Sequence, residues 1–328
     1  MAGLEQRWYS DKPPVWYLRL LEPVYKALAR HDRQRKLKQA WQAPVPVIIV
    51  GNITVGGTGK TPLVSWLVEF LRQAGYRPGI VSRGYKASPP QLPYSVNPDD
   101  SPAVAGDEPL MLARRCQCPL VIDPQRVRAV QHLLDTTDCN VVISDDGLQH
   151  HALGRDIELV VLDGARGLGN GHCLPAGPLR EPAERLASVD FVISNGEPVQ
   201  PLPRHDATMT LAPRCFRRLS GEVVGLEHYQ GLQVHAVAGI GNPQRFFNTL
   251  QTLGIQPQPH AFADHHSYTA AELQFSPALP LLTTEKDAVK WQELALPEAA
   301  WLEIEACLPD LFAQALLEKL TRLTHEKV

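Results

Sequence analysis

Short apolar runs alternate with helical stretches along the first two thirds of the chain. The first run, residues 44–52 (PVPVIIVGN), is almost entirely apolar and is typical of a strand buried on both faces. A helical pattern follows at residues 62–73, and Gly75 is a plausible end for it. Further candidate strands lie at residues 79–82, 120–123, 141–144, 157–163 and 189–194. This alternation predicts a parallel sheet covered by helices on both faces.

The last third of the chain carries a second α/β pattern. It begins at residues 232–241 and continues to residues 279–287, whereas the residues just before it show only a weak pattern. We therefore predict two α/β domains, the second one smaller, joined by a hairpin-like linker. The predicted boundaries are 1–40 for an N-terminal amphipathic basic helix region, 41–205 for the core domain, 206–225 for the linker and 226–328 for the C-terminal domain.

The N-terminal segment combines an apolar face with a basic cluster. Apolar residues recur at helical spacing within residues 15–29, and Arg and Lys are frequent in residues 30–38. This combination suits a helix that lies on an anionic membrane surface. A helix packed on the protein core with a solvated basic end explains the same pattern, and the residues alone do not decide between the two.

Composition and charge narrow the possible functions. With 328 residues, of which 44% are hydrophobic and 20% charged, the chain is expected to form a globular protein of two domains. Its net charge of −3 argues against a nucleic-acid partner, and no obligate protein partner is evident. The 6 Cys include no C-x2-C pair and are expected to be reduced thiols. We expect no signal peptide and no membrane-spanning segment.

The glycine-rich turn after the first apolar run predicts a phosphate-binding loop. Its segment GGTGKT, residues 56–61, fits the second half of a P-loop, although Thr54 stands where the full pattern has Gly. The glycines allow backbone N–H groups to turn toward phosphate oxygens. Lys60 would supply a positive charge for the β- and γ-phosphates, and the Thr61 hydroxyl would bind Mg²⁺. The alternative is a tight structural turn that happens to contain GKT.

A second apolar run ends in two acidic residues. In NVVISDDGLQHH, Asp145 and Asp146 follow a predicted strand. Carboxylates at the carboxyl end of a parallel strand lie in the crevice where ligands bind, so one of them should hold Mg²⁺. The two acids, Gly147 and His150 are together more than metal binding needs, so some of them are candidates for positioning the substrate. Together with the phosphate loop, these residues predict a P-loop NTPase-like sheet domain.

Other polar residues suggest a phosphoryl acceptor. Asp107 and Glu108 follow a long loop and precede a helical segment, so either could act as a base at a cleft edge, or both could simply favour the helix N-terminus. In FADHH, His265 beside Asp264 is typical of a His held by a carboxylate. Either an anionic acceptor or a charge clamp on the transferring group is indicated by arginines near the predicted strand ends, namely Arg83, Arg126, Arg128, Arg180 and Arg185. TTEKD has the wrong spacing for a guanine-reading motif.

These motifs together resemble one family, the tetraacyldisaccharide 4'-kinases (LpxK, the lipid A 4'-kinase of Gram-negative bacteria). The matching strings, in chain order, are KQAWQAPVPVIIVGN, TVGGTGKTP, VSRGY, AGDEP, SDDGLQH, VVLDGARGLGNGHCLPAGPLRE, AGIGNPQRFF, FADHH and TTEKDAVK. The resemblance implies transfer of the ATP γ-phosphoryl group to the 4'-hydroxyl of a tetraacyldisaccharide 1-phosphate, an anionic glycolipid. It also implies a peripheral protein at the cytoplasmic face of the bacterial inner membrane.

The resemblance further implies roles for individual residues. Asp107 resembles the general base of the family and is paired with His265, and Lys60 acts on the transferring phosphate. Mg²⁺ is expected at Thr61, Asp145 and Asp146. The ATP phosphates are expected at Thr54, Gly56, Gly57, Thr58, Gly59, Lys60 and Thr61. Supporting or substrate-binding roles are expected for Glu108, Arg126, Gln149, His150 and Arg83.

Two other functions remain compatible with the residues alone. One is a small-molecule kinase or ATP-dependent ligase with no membrane role, which has no need of an N-terminal amphipathic helix. The other is a regulatory NTPase that binds a protein partner, for which a guanine-specificity motif would have been expected.

Overall fold

The fold is known from a computed structural model that describes residues 6–10, 12–294, 296 and 298–327. Residues 1–5 and 11 of the predicted N-terminal region therefore lie outside the described residues. The strands of the described chain are β1 Val47–Gly51, β2 Pro78–Ser82, β3 Tyr94–Ser95, β4 Leu120–Ile122, β5 Val141–Asp145, β6 Ile157–Asp163, β7 Phe191–Asn195, β8 Ala207–Arg218, β9 Val223–Val224, β10 Gln233–Ala238, β11 Gln256–Ala261, β12 Leu281–Thr284 and β13 Ala300–Cys307. The α-helices that lie wholly within the described residues are α1 Trp16–Leu37, α2 Lys60–Gln73, α3 Pro102–Ala105, α4 Asp107–Cys116, α5 Arg126–Thr136, α6 Pro243–Thr252, α7 Glu285–Ala288 and α8 Asp310–Lys327.

The N-terminal half is built on a parallel sheet in the order β7-β6-β1-β5-β2-β4, with β3 antiparallel at its edge. Alternate residues of β1 enter different cores. Ile48 and Val50 pack with α2 and α8, whereas Val47 and Ile49 pack with α5 on the other face. The continuous apolar run at β1 is therefore explained by helices on both faces of the sheet, as the sequence predicted.

The strand β8 joins the two halves of the molecule. The first half contains strands β1 to β7, and the second contains strands β10 to β13. Its first residues pair in parallel with β7, and its remainder pairs antiparallel with β13. The sheet then continues through β12 and β10 to β11, all parallel to β13. The predicted linker, residues 206–225, is thus occupied by β8 and by β9, which folds back against it. The proposed domain boundaries themselves stay a prediction.

The parallel arrangement brings the ends of three strands together. Val50 lies opposite Asp145 in the pairing of β1 with β5, and Val81 of β2 lies opposite Ser144. The loops that follow these strands must therefore leave from the same edge of the sheet, where ligands of open α/β sheets bind.

The N-terminal helix extends beyond the predicted segment. It runs from Trp16 to Leu37, so most of the basic cluster lies within the helix rather than after it. Within the part of the chain that the structure describes, no helix is long and apolar enough to cross a bilayer.

Candidate active site

The phosphate loop connects β1 with α2. Gly59 has φ +93°, and a Cβ atom at this position would collide with the side-chain amide of Asn195, so both conformation and space require glycine. The helix α2 begins at Lys60 with no side-chain cap at Gly59. Its first N–H groups therefore remain available to an anion, and the helix dipole favours one there.

Two side chains hold the loop from outside. Asn195, at the end of β7, donates from Nδ2 to the carbonyl oxygen of Thr58 at 3.0 Å. Arg166 donates from Nη2 to the carbonyl oxygen of Gly57, also at 3.0 Å. The Thr58 side chain is buried, and its hydroxyl has no partner among the described residues. A buried hydroxyl beside a glycine-rich turn fits a phosphate oxygen as its partner.

Thr54 and Thr61 lie at the two ends of the loop. Thr54 is buried and forms an isolated bridge with Leu179. Thr61 lies in the first turn of α2. The roles predicted for them and for the loop glycines stay predictions.

Lys60 and Asp146 face each other, with Lys60 Nζ 3.3 Å from Asp146 Oδ1. Arg180 Nη1 lies 3.7 Å from the other carboxylate oxygen, Oδ2. Burial alone would raise the pKa of Asp146, but the charges of Lys60 and Arg180 outweigh it and lower the pKa. Asp146 is therefore a carboxylate at neutral pH.

Asp145 is more deeply buried and less well compensated. Its Oδ2 accepts a 3.1 Å hydrogen bond from Ser82 Oγ. Burial, followed by the charges of Glu108 and Asp146, raises the pKa of Asp145 to about 6. A cation beside Asp145 would favour its ionised form.

The residues predicted to hold magnesium have suitable chemistry. Two carboxylates and the Thr61 hydroxyl are hard oxygen ligands of the kind that Mg²⁺ prefers. No group of three or more His, Cys, Asp and Glu in the described ranges could hold a metal ion alone. A Mg²⁺ ion here would complete its shell with phosphate oxygens and water, as is usual for this ion at nucleotide sites.

Arg126 lies at the same edge of the sheet, next to the last residue of β5. It is 3% exposed, and it donates to the carbonyl oxygens of Asp123 at 2.8 Å and Asp145 at 3.1 Å. Burial lowers the pKa of Arg126 to about 10, so the side chain stays cationic at neutral pH. Arg83 is exposed, and its charge contributes to lowering the pKa values of Arg126 and His150.

Gln149 and His150 follow the acidic pair. Gln149 Nε2 donates to the carbonyl oxygen of Asn52 at 3.1 Å and to Glu181 Oε1 at 2.8 Å. Burial, with the charge of Arg126, lowers the pKa of His150 to about 4. His150 is therefore neutral at physiological pH and can accept as well as donate a hydrogen bond.

The candidate base and its histidine meet across the two halves of the molecule. His265 Nδ1 lies 3.0 Å from Oδ2 of Asp107, which is the first residue of α4 and 158 positions earlier in the chain. The backbone of His265 has φ 61°, and the edge of its ring contacts Tyr85. Asp107 and Glu108 begin α4, so both favour a helix N-terminus as well as being candidates for the site.

The TTEKD segment, which has the wrong spacing for a guanine-reading motif, contacts the candidate site. Lys286 Nζ lies 3.0 Å from Glu108 Oε1 and 3.2 Å from Asp264 Oδ1. Lys290 Nζ lies 4.0 Å from Asp107 Oδ2. The available signal was a pair of lysines just after a buried strand, β12, whose carboxyl end could have been expected to face a ligand.

Two of the arginines grouped with the site have partners of their own. Arg128 pairs with Asp123 at 2.5 Å. Arg185 is buried and pairs with Glu158 at 2.5 Å and Glu181 at 3.2 Å. These two arginines are therefore engaged in the protein's own ion pairs, whereas Arg126 and Arg180 lie beside the acidic pair.

The fold and the site together define a P-loop kinase, with a phosphate loop, strand-end carboxylates and a separate Asp–His pair. A family model described as "Tetraacyldisaccharide-1-P 4'-kinase" (LpxK) matches residues 14–321. The chain belongs to this family. The predicted family, the α/β fold class and the assignment as an ATP-dependent kinase are confirmed.

Individual relatives extend over almost the whole chain. The tetraacyldisaccharide 4'-kinase of Azotobacter vinelandii is 52% identical over 324 residues, which cover 98% of this chain and 97% of the relative. That of Pseudomonas aeruginosa (strain LESB58) is 53% identical over 304 residues, 91% of each chain. A crystal structure of the "apo" form of LpxK from Aquifex aeolicus in complex with ATP is 28% identical, with a TM-score of 0.77, and the match covers 92% of this chain and 97% of that one.

Proposed function

We propose that this chain transfers the γ-phosphoryl group of ATP to the 4'-hydroxyl of a tetraacyldisaccharide 1-phosphate, a step of lipid A biosynthesis. The observation that carries the proposal is the Asp107–His265 contact beside the nucleotide edge of the sheet. Glu108, which follows Asp107, is close enough for its charge to raise the pKa of Asp145. A kinase needs a base near its acceptor hydroxyl as well as a phosphate loop, and this chain has residues for both.

On the donor side, the chain provides positive charge and hydrogen-bond donors. Lys60 and the N–H groups at the start of α2 bind phosphate oxygens, and Arg126 holds a fixed positive charge beside Asp145. Thr61, Asp145 and Asp146 would hold Mg²⁺, which when bound neutralises charge on the β- and γ-phosphates.

On the acceptor side, Asp107 orients the sugar hydroxyl and accepts its proton during transfer. His265 holds the carboxylate of Asp107 through Oδ2, which leaves Oδ1 for the substrate. Removal of a general base typically lowers kcat by about 10²–10⁴-fold.

A radiolabel transfer assay tests the reaction. Purified protein, Mg²⁺ and γ-labelled ATP are mixed with detergent-dispersed tetraacyldisaccharide 1-phosphate, and label is counted in the lipid fraction. Label should enter the lipid, and Lys60→Ala should abolish the transfer. Asp107→Asn should lower kcat by roughly 10²-fold or more with little change in ATP affinity, whereas Asp135→Asn, on the exposed side of α5, should not. ATP binding without lipid labelling would reject this acceptor and favour a small-molecule kinase or a regulatory NTPase.

We also propose that α1 binds the cytoplasmic face of the bacterial inner membrane, so that the protein is peripheral. Six large apolar residues lie on one face of α1, and each of them is between 52% and 74% exposed. They are Trp16, Tyr17, Leu20, Leu21, Val24 and Leu28. The opposite face docks on the protein through buried Glu22 and half-buried Tyr25. An exposed apolar stripe with neighbouring basic side chains matches the chemistry of an anionic bilayer surface.

Vesicle sedimentation tests this second proposal. Wild-type protein should pellet with vesicles rich in phosphatidylglycerol, and the double variant Leu20→Ser and Leu28→Ser should remain in the supernatant. Leu311→Ser in α8 is a matched control, because Leu311 is 80% exposed but lies outside α1. Equal pelleting of all three proteins would count against membrane binding through α1.

A further inference from the structure

Lys286 is held in a rigid turn at the carboxyl end of β12. The next residue, Asp287, is fully buried, and its carboxylate accepts hydrogen bonds from the N–H of Gly239, from Tyr268 Oη and from Thr284 Oγ1. These bonds fix the start of α7, and the neighbouring Lys286 contacts Glu108 of α4 in the other half.

The Lys286 ammonium has three neighbours that match its three N–H donors. They are Glu108 Oε1 at 3.0 Å, Asp264 Oδ1 at 3.2 Å and His265 Nε2 at 3.4 Å. Burial alone would lower the pKa of Lys286, but Glu108 and Asp264 raise it, so the side chain stays cationic at neutral pH. An ammonium group donates and never accepts. A hydrogen bond between the two groups therefore requires Nε2 of His265 to accept, with its lone pair toward Lys286.

We propose that Lys286 is a positioning residue that holds His265 as the neutral tautomer with its proton on Nδ1, and so keeps Asp107 available as the base. In this tautomer, Nδ1–H donates to Asp107 Oδ2 across the observed 3.0 Å. The catalytic part of the inference rests on the proposed kinase reaction, whereas the tautomer itself does not.

The other two protonation states of His265 conflict with its surroundings. With the proton on Nε2, an N–H would face the ammonium, and two acceptors, Nδ1 and Asp107 Oδ2, would face each other at 3.0 Å. An imidazolium would place a second positive charge against Lys286 and would tie up the Asp107 carboxylate in an ion pair. Among the residues that the structure describes, Asp264 lies 3.9 Å from Nε2 and Tyr85 contacts the ring. Lys290 approaches Asp107 Oδ2 at 4.0 Å.

Long-range ¹H–¹⁵N NMR of the full-length protein with ¹⁵N-labelled histidine reads the tautomer directly. The His265 signals are assigned by their loss in His265→Gln. In the wild type at neutral pH, His265 should show a protonated Nδ1 and an unprotonated Nε2. Lys286→Met should give the imidazolium, because Asp107 and Asp264 then flank the ring with no ammonium at Nε2. Lys286→Arg, which also only donates, should retain the wild-type pattern.

Kinetics of the same variants give a second readout. An imidazolium would tie up the Asp107 carboxylate in an ion pair, so Lys286→Met should lose roughly 10²-fold in kcat with the KM for ATP little changed. The matched control is Lys86→Met, which removes an exposed charge stacked on Tyr85 but no bond to His265. It should change neither the tautomer nor kcat.

A wild-type His265 with its proton on Nε2, or doubly protonated, would overturn the inference, and this result needs no variant to fold. A neutral His265 in Lys286→Met at the pH at which it is neutral in the wild type would overturn it as well, whatever the kcat. A wild type with the Nδ1–H tautomer but no lipid phosphorylation would support the tautomer and reject the proposed reaction, so the two failures are distinguishable.

Discussion

Two candidate site residues have a left-handed backbone conformation that residues other than glycine rarely adopt. Asp146 has φ 47° and His265 has φ 61°, at a cost of about 1 kcal/mol or more each. Both are held by strong partners, Asp146 by Lys60 and Arg180, and His265 by Asp107. Such conformations persist where the surrounding contacts determine them, and they concentrate at functional sites.

Replacing Asp145 with Asn should stabilise the magnesium-free protein at pH 7 and impair magnesium-dependent catalysis. Burial, with the charges of Glu108 and Asp146, raises the pKa of Asp145 from 3.8 to about 6. The pKa of Asp145 is higher in the folded than in the unfolded protein, so its ionisation costs stability. This cost is fully present above about pH 6, and it disappears as the pH falls from about 6 to about 4. A shift of about 2 corresponds to roughly 3 kcal/mol at pH 7.

Urea unfolding in the presence of EDTA measures this effect. The variant should exceed the wild type in free energy of unfolding at pH 7 and match it near pH 4. Asp135→Asn should show no such pH-dependent gain, because Asp135 is exposed. A variant that is no more stable at pH 7 would show that the ionised carboxyl of Asp145 is well compensated in the protein.

At the scale of elements, the N-terminal helix is joined to the candidate phosphate site through one loop. Tyr25 Oη of α1 donates to the carbonyl oxygen of Arg180 at 2.8 Å, and the N–H of Arg180 donates to the carbonyl oxygen of Ile53 at 2.7 Å. The Arg180 side chain lies beside Asp146. The helix proposed to bind the membrane is therefore two hydrogen bonds from the end of β1.

Glu22 anchors α1, and Glu22→Gln should loosen it. The carboxylate contacts Lys26 Nζ at 2.7 Å, His172 Nδ1 at 2.8 Å and the N–H of Cys173 at 2.9 Å. Burial alone would raise its pKa, but these partners lower the pKa of Glu22 from 4.5 to about 2. Since the folded pKa is the lower one, the stabilisation is present above about pH 4.5 and is lost as the pH falls toward 2.

Hydrogen exchange of the amides in α1 measures the loosening. At pH 7, Glu22→Gln should speed exchange in α1 and lower the free energy of unfolding by about 2 kcal/mol, as expected for losing hydrogen bonds to a buried charged group. Glu197→Gln is the control, because Glu197 is exposed. Unchanged exchange in α1 would mean that Tyr25 and apolar contacts suffice to hold the helix.

At the scale of the whole molecule, the site is completed by contacts between the two halves. The helix α4 of the first half carries Asp107 and Glu108, which meet His265 and Lys286 of the second. At the other end of α4, Arg115 pairs with Glu285 at 2.5 Å and also donates to the carbonyl oxygen of Ile304. Both members of this ion pair are largely buried.

A double-mutant cycle on Arg115 and Glu285 should show strong coupling. Arg115→Met leaves the buried carboxylate without its cation and should destabilise the protein by about 3 kcal/mol or more. Adding Glu285→Gln should recover part of this loss, with a coupling energy of about 1–3 kcal/mol. Chemical unfolding measures all the variants.

The exposed pair Arg214–Glu305, at 3.9 Å, provides the comparison. Its cycle should show little coupling, because solvent screens exposed ion pairs. Equal coupling in the two cycles would contradict a special role for Arg115 in joining the halves.

The sequence by itself determined the features that depend on neighbouring residues. The buried run at β1, the glycine-rich turn and the start of α2 follow one another directly, so local pattern predicted the phosphate loop and the parallel sheet. Asp145 and Asp146 were predicted to lie in the crevice for the same reason, as they end an apolar strand. The family resemblance predicted the pairing of Asp107 with His265.

Only the tertiary structure decided how distant segments combine. The weak pattern before residue 225 conceals a 12-residue strand, β8, because most of its side chains are only partly buried while its pairing partners, β7 and β13, come from both halves. The contact of Lys286 with Glu108 spans 178 positions. Such contacts depend on strand order and on the turns that fix each side chain, and neither is encoded in local spacing.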